Sequence, residues 1–174
     1  RGLWLGVLTA LATLTRPELI LLGGLSALVI SAEAWRRPRW LLIYGVCAAL
    51  AFSMLITPYL YFNLQVTGGL LPNTAAAKFE QHAVLLALPL SQRFGDLLLA
   101  ISVGGQFLLL PGALLFIWRS LRGAEMIQHR ATVLLWIWPL ALLLLYALRL
   151  PASYQHGRYV MPALPALVLA GTLG

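Results

Sequence analysis

The sequence is poor in charge. Only 10% of its 174 residues are charged, whereas a soluble domain has about 25%. The chain is 61% hydrophobic, and its mean hydropathy is +0.88. Several apolar runs approach or exceed the roughly 18–20 residues that a bilayer core requires. This composition excludes an ordinary soluble domain and predicts an all-α, polytopic transmembrane helical bundle.

Acidic residues and cysteine are scarcer still. The sequence contains five Asp and Glu residues and 12 Lys and Arg residues, and Cys47 is its single cysteine. One cysteine inside a lipid-length run excludes an internal disulfide and a cysteine-based metal site. No basic run is longer than the four residues Arg36–Arg39, so the basic excess indicates membrane orientation and not a nucleic-acid partner.

The apolar runs predict about five to six membrane helices in one transmembrane domain covering residues 1–174. We expect them at residues 2–15, 19–35, 40–62, 97–118, 132–148 and 160–174. The connection 63–96 is predicted to be a long extracytoplasmic loop with an interfacial helix. Because the chain starts at Arg1 and its last run stops before any flanking charge, we expect a piece of a longer protein.

Basic residues fall into two groups once the chain is laid across a membrane. With Arg36–Arg39 in the cytoplasm, alternation places the Arg119–Arg130 loop there too, as the positive-inside rule favours. Those two loops hold six of the twelve basic residues. The opposite face keeps five single basic residues that orientation does not require: Arg16, Lys78, Arg93, Arg149 and Arg158.

The first candidate stretch is "LTRPEL". Thr15 and Glu18 have the spacing of a capping box, and Pro17 suits the first turn of a helix, which is a purely structural interpretation. This interpretation does not explain Arg16, because placing an arginine at membrane depth costs free energy. The functional interpretation has Arg16 and the amino end of the helix facing an anion. Both interpretations stay open.

The second candidate stretch is "PNTAAAK". It can be a surface loop in which Asn73 caps a short helix and Lys78 is solvated. Equally, Lys78 can bind a lipid phosphate as a compact point charge at the interface. The sequence does not decide between these alternatives.

The third candidate stretch is "YQHGRYVMP". Gly157 suits a tight turn, and Pro162 suits the first turn of the next helix. His156 and Arg158 flank the glycine, where an imidazole and a guanidinium fork could bind phosphate oxygens. The alternative is a loop with aromatic residues, among them Tyr159, in the interfacial belt.

No metal cluster, phosphate-cradling glycine loop, Ser/His/Asp arrangement or carboxylate pair is visible in the sequence. The three candidate stretches together predict an anion-binding surface on the non-cytoplasmic side. The glycine pair Gly104-Gly105 predicts close helix packing.

Three motifs, in this order, carry a resemblance: "LATLTRPELILL", "YFNLQVTGGLLPNTAAAKF" and "HGRYVMPALPAL". They resemble the GT-C superfamily of integral-membrane glycosyltransferases, in particular bacterial relatives of the protein O-mannosyltransferases and the lipid A aminoarabinose transferases. The resemblance extends from about residue 5 to 170. It implies a cell-envelope enzyme in the bacterial inner (plasma) membrane, with its active site on the extracytoplasmic face.

The resemblance also implies partners and site residues. The donor would be a sugar carried on a polyprenyl phosphate, and the acceptor a lipid, a glycan or a protein, all among membrane lipids. Substrate and phosphate binding would fall to Arg16, Glu18, Asn73, Lys78, His156, Arg158 and Tyr159. The general base of the superfamily is expected upstream of Arg1, so no catalytic residue is assigned. Some relatives use a divalent metal, and this sequence does not decide whether one is needed.

A transporter or flippase for an anionic lipid or solute is the alternative. Transporters place ionisable groups or broken helices near mid-membrane. The runs 40–62, 97–118 and 132–148 contain no charged residue, which argues against ion-coupled transport.

Overall fold

The computed structural model describes residues 1–70, 77, 80–81, 83–102, 104–122, 130–149 and 158–173, without the side chains of residues 33, 121, 130 and 131. Within these ranges the chain contains helices and turns and no strand. The α-helices are α1 (Gly2–Thr15), α2 (Ile20–Ala34), α3 (Pro38–Thr67), α4 (Leu90–Ile101), α5 (Leu110–Arg122), α6 (Arg130–Arg149) and α7 (Leu164–Leu173). The prediction of an all-α chain is confirmed for these residues.

The chain divides into two compact units. The first unit comprises Arg1–Ala77 and the second Lys78–Gly174. Helices α1 to α3 belong to the first unit and α4 to α7 to the second. Each unit has its own internal packing.

Among the described residues, two helices are long and apolar enough to cross a membrane: Pro38–Thr67 and Thr132–Arg149. The 30 residues of α3 correspond to about 45 Å, more than the hydrocarbon core of about 30 Å. The apolar helices Gly2–Thr15, Pro17–Ala32 and Met161–Leu173 are shorter. The structure therefore supports a membrane-associated helical protein with two such spans, or three if the bent pair described next counts as one.

One predicted crossing is bent. The run 97–118 was expected to form a single helix, but Leu90–Ile101 and Gly105–Ser120 make an angle of 93°. The Ser102 hydroxyl donates to the carbonyls of Leu98 and Leu99 at the end of α4, at 3.2 and 3.0 Å. The helix ends shortly before Gly104 and Gly105, and glycine is unfavourable in a helix interior. The expectation of one continuous crossing is wrong.

The connection after α3 begins later than the sequence predicts. Helix α3 continues past Phe62 to Thr67 and ends at Gly68, which has a φ of 71° and donates its N–H to the Leu64 carbonyl at 3.1 Å. A positive φ is readily adopted by glycine, and this arrangement is a common helix end. Helix α4 already begins at Leu90, so the segment 68–89 separates the two helices.

The backbones of α1 and α3 approach closely. Gly2, Gly6 and Ala10 are buried on one side of α1. A Cβ atom added at Gly2 would collide with the Tyr44 carbonyl, and one added at Gly6 with the Ala48 carbonyl. Small residues at every fourth position allow such contact between membrane helices.

The register of these contacts fixes the direction of the helices. Gly2 meets Tyr44 and Gly6 meets Ala48, so both pairs are 42 residues apart. A constant separation means that α1 and α3 run parallel. Helix α2 connects them and must return the chain to the starting end.

The second unit also contains a close contact between two helix backbones at glycine. A Cβ atom at Gly112 on α5 would collide with the Gly171 backbone on α7, and Ala113, Phe116 and Ala170 form a buried cluster beside it. By contrast, nothing lies within 4 Å of a Cβ atom built at Gly105. The expectation of close packing at Gly104-Gly105 is wrong at Gly105, because the bent connection holds it away from a neighbouring helix.

We predict that Gly6→Ala destabilises the first unit. The added methyl group meets the backbone of α3, which cannot rotate away as a side chain can, and overpacking of this kind costs about 1–3 kcal/mol. The apparent unfolding temperature in detergent micelles, followed by tryptophan fluorescence, should fall.

The matched control is Gly45→Ala on α3, where a Cβ atom has nothing within 4 Å. It should leave the unfolding temperature unchanged or raise it slightly, since alanine favours a helix over glycine. An equal fall in both variants would contradict the close contact.

Candidate functional site

The "TRPE" stretch forms a break between two apolar helices. Helix α1 ends at Thr15, Arg16 is extended (φ −147°, ψ 114°), and Pro17–Leu19 forms a 3-10 turn. Proline disfavours the helical conformation in the residue before it, so Pro17 ends α1 at this point. The prediction that Pro17 lies in a first helical turn is confirmed.

The capping box expected at Thr15 and Glu18 is absent from this turn. The Thr15 hydroxyl donates backwards to the Ala12 carbonyl at 2.6 Å, because Thr15 is the last residue of α1 and not the cap of the next turn. That expectation is wrong. Glu18 instead places Oε1 3.5 Å from Nε of Arg16, with the two side chains 13% and 29% exposed.

The ion pair changes the electrostatics at Arg16. A pair of this exposure contributes little stability, about 0–1 kcal/mol. Its main effect is that the carboxylate offsets the guanidinium charge. Arg16 therefore attracts an anion less strongly than an uncompensated arginine in the same place.

Arg16 lies towards the same end of the first unit as the turn after α3. The separation of 42 residues between contacting positions on α1 and α3 puts Arg16 level with Pro58. Asn63 follows five residues later, about 7.5 Å along the helix. Arg16 and the turn that follows α3 thus lie towards one end of this unit.

Two polar side chains fix the turn after α3. Asn63, only 6% exposed, donates Nδ2 to the Leu70 carbonyl at 3.3 Å. The Thr67 hydroxyl donates to the Asn63 carbonyl at 2.8 Å. These bonds hold the chain from Thr67 to Leu70 against the end of α3. The predicted site residues Asn73 and Lys78 lie outside the described residues.

Sequence reasoning did not single out Asn63. The available signal was an asparagine and a threonine four residues apart, at the end of an apolar run and just before Gly68-Gly69. A buried amide is expected to have a hydrogen-bond partner. Here the partner is a backbone carbonyl seven residues further on.

In the second unit, Arg158 and Tyr159 occupy a turn that precedes a 3-10 turn, Met161–Ala163, and α7. Arg158 is exposed. Tyr159 is 7% exposed, and its ring centroid is 5.4 Å from that of Tyr146 on α6. Packing of the Tyr159 ring therefore anchors the turn that carries Arg158.

The start of the last apolar segment is also fixed. Pro162 lies in the first turn of Met161–Ala163, which confirms that prediction. Nε1 of Trp138 donates to the Pro162 carbonyl at 3.0 Å. The remaining predicted residue of this stretch, His156, lies outside the described residues.

Arg93 is a functional candidate that the sequence reasoning left without a role. Its Nη1 donates to the Ala147 carbonyl at 2.7 Å. Ala147 is among the last four residues of α6, whose carbonyls have no partner within the helix. The positive charge also suits the negative end of the helix dipole. Arg93 thus ties α4 to the end of α6.

The contact of Arg93 adjoins the turn of Arg158. Ala147 follows Tyr146, which packs against Tyr159, so both arginines belong to one end of the second unit. Nε of Arg93 is buried and has no hydrogen-bond partner among the described residues. The sequence gave no signal for this pairing, because the two residues are 54 positions apart.

The structure thus brings together Arg16 with Glu18 in one unit, and Arg158 with Tyr159 and Arg93 at one end of the other. The described residues contain no group of three or more His, Cys, Asp or Glu side chains that could hold a metal ion. They offer no set of ligands that fits a divalent metal, and we assign the metal no role.

We predict that Arg93→Ala lowers the free energy of unfolding by about 1.5–3 kcal/mol, the usual contribution of a hydrogen bond to a charged group. Arg93→Lys should lower the free energy of unfolding by less, because it keeps a cation near the carbonyls of α6. Apparent unfolding temperatures in detergent micelles measure both effects.

Gln92→Ala, at an exposed neighbouring position on α4, serves as the control and should leave the unfolding temperature unchanged. If Arg93→Ala behaves like Gln92→Ala, the bond to Ala147 does not hold α4 to α6.

Comparison of the chain with protein-family models, curated proteins and solved structures finds no match. The likeness to membrane glycosyltransferases therefore depends on the three sequence motifs alone.

Proposed function

We propose that this chain belongs to a membrane glycosyltransferase, which moves a sugar from a polyprenyl-phosphate donor to a lipid, glycan or protein acceptor at the extracytoplasmic face. In this proposal the shorter apolar helices α1, α2 and α7 complete a bundle of five to six membrane segments. The protein would reside in a bacterial inner membrane.

The observation that carries the proposal is the position of two arginines within the resembling motifs. Arg16 and Arg158 both occupy non-helical breaks that lead directly into apolar helical segments. The exposed guanidinium of Arg158 and the partly exposed one of Arg16 can reach a phosphate held at the membrane surface. Neither arginine belongs to the two loops that would set orientation by the positive-inside rule.

The charges suit the reaction. When the glycosidic bond to the lipid phosphate breaks, the phosphate gains negative charge, and fixed cations stabilise that charge in a partly dry site. Arg158 and Lys78 would hold this leaving group, and Arg16, oriented by Glu18, would assist them. The resemblance also gives Asn73, His156 and Tyr159 a part in substrate binding.

The acceptor hydroxyl must lose a proton to a general base. Our proposal assigns no residue of this chain as that base. It gives Glu18 the role of partner to Arg16, which the 3.5 Å contact supports.

A transporter or flippase remains the second candidate, and one observation favours it. The 93° bend between Leu90–Ile101 and Gly105–Ser120 is a broken apolar helix pair, and discontinuous helices are common at transporter binding sites. A flippase would move the lipid without breaking its bond to the sugar.

We predict that Arg158→Ala in the full-length protein lowers the rate of sugar transfer by about 10²–10³-fold, as loss of one charge-stabilising donor usually does. Arg158→Lys should recover part of the rate, because it keeps the charge but not the fork. Transfer of radiolabelled sugar from a polyprenyl-phosphate donor in proteoliposomes measures both.

The control is Arg149→Ala, an exposed arginine at the end of α6 outside the three motifs, which should retain the transfer rate. Normal transfer by Arg158→Ala would remove the assignment. Movement of labelled lipid across the vesicle membrane without any transfer by the wild-type protein would favour the flippase.

A further inference from the structure

A cavity of about 540 Å³ lies in the first unit, lined by Arg1, Ile30, Ala34, Arg37, Trp40 and Tyr44. Its walls come from the beginning of α1, the last turns of α2 and the first two turns of α3. The volume falls within the range of about 300–1,000 Å³ that is usual for small-molecule sites.

The charge of this cavity is strongly positive. Arg1 and Arg37 line it, and neither side chain forms an ion pair or hydrogen bond with the part of the chain that the structure describes. Glu33 is the sole acidic residue in the sequence from position 20 to 67, where Arg36 and Arg39 add two further cations. An anionic ligand therefore meets little competition from carboxylates.

The remaining lining is apolar and aromatic. The rings of Trp40 and Tyr44 are stacked, with centroids 4.9 Å apart and planes at 18°. Ile30 and Ala34 form an aliphatic wall. Next to Trp40 on the surface of α3, Ile43, Val46 and Leu50 form an exposed apolar face, with accessibilities of 64%, 49% and 65%. The ligand that matches these surfaces has both a phosphate-like group and a long apolar part.

The cavity is remote from the end of the unit that carries Arg16. Tyr44 and Asn63 are 19 residues apart on α3, or about 28 Å at 1.5 Å per residue. That distance is close to the thickness of the hydrocarbon core, about 30 Å. The cavity and the turn after α3 would therefore lie at opposite membrane surfaces.

We propose that this cavity binds the phosphate headgroup of an anionic phospholipid in the leaflet opposite the proposed transferase site. The guanidinium groups of Arg1 and Arg37 bind the phosphodiester oxygens, a geometry to which arginine is well suited. The acyl chains lie along the exposed apolar face of α3, and Trp40 lies at the level of the headgroup, as interfacial tryptophans do. Basic pockets between membrane helices bind lipid headgroups in this way.

The proposal is tested by titrating the detergent-solubilised protein with phosphatidylglycerol or phosphatidylcholine and counting bound lipids by native mass spectrometry. The wild-type protein should bind phosphatidylglycerol more tightly than phosphatidylcholine. Arg37→Gln should weaken phosphatidylglycerol binding about fivefold, as expected for about 1 kcal/mol per basic residue near an anionic lipid. Arg1→Gln should have a similar effect.

Arg39→Gln is the matched control, because Arg39 belongs to the same basic run but does not line the cavity. It should weaken binding by less than about twofold, since it adds only to the general surface potential. The helical content of each variant, measured by circular dichroism, should equal that of the wild type. Arg37 makes no side-chain hydrogen bond at the start of α3, so its replacement should leave the helix intact.

Two results would overturn the proposal. Equal losses in Arg37→Gln and Arg39→Gln would mean that diffuse surface charge, and not the cavity, attracts the lipid. Competition by millimolar inorganic phosphate or glycerol phosphate as effective as that by phosphatidylglycerol would mean that the cavity takes a soluble phosphate. The proposal expects neither soluble anion to displace the lipid, because neither has the apolar part that α3 contacts.

Discussion

The direct contact between the backbones of α1 and α3 is the constraint on which the first unit depends. In lipid, helices gain little from burying apolar side chains, so association relies on close packing. Gly2, Gly6 and Ala10 provide it by leaving the α3 backbone within reach of α1. Because the contacts keep a constant register, the two helices run parallel and α2 must return between them. This arrangement places the break at Arg16 towards one end and the basic cavity at the other.

The second unit combines the same close approach, at Gly112 and Gly171, with polar contacts that glycine cannot make. Arg93 holds the end of α6, and Trp138 holds the carbonyl of Pro162. Where water is scarce, a bond to a carbonyl that lacks a helical partner is favourable, because leaving that carbonyl unsatisfied is costly. These contacts make the turn of Arg158 a defined structure and not a loose connection.

Apolar length predicted most of what the structure shows about the helices, including both ends of α1 and the span of α6. It failed at residues 97–118, because hydropathy does not register a change of direction when both arms of a bend are apolar. The capping-box prediction at Thr15 failed for another reason. A threonine hydroxyl can bond to backbone groups before or after it in the chain, and the position of Pro17, which ends α1, decides which of the two bonds forms. The contact of Arg93 could not be predicted from the sequence, because its partner is a backbone carbonyl far away along the chain. The resemblance pointed to Arg16 and Arg158, but it gave no role to the buried Asn63, although Asn63 lies within the second motif.

Charge compensation distinguishes the two ends of the first unit. Arg16 has a carboxylate 3.5 Å away, whereas Arg1 and Arg37 face their cavity with no ion pair among the described residues. In the proposed transferase, only interactions that strengthen as the phosphate leaves would raise the rate, so partial neutralisation of Arg16 by Glu18 would keep it from holding the intact donor too tightly. A structural lipid has no such requirement, and tight binding of its headgroup is an advantage. Under these two proposals, arginine would serve turnover at one surface and lasting lipid attachment at the other, and the position of Glu18 beside Arg16 would separate the two roles.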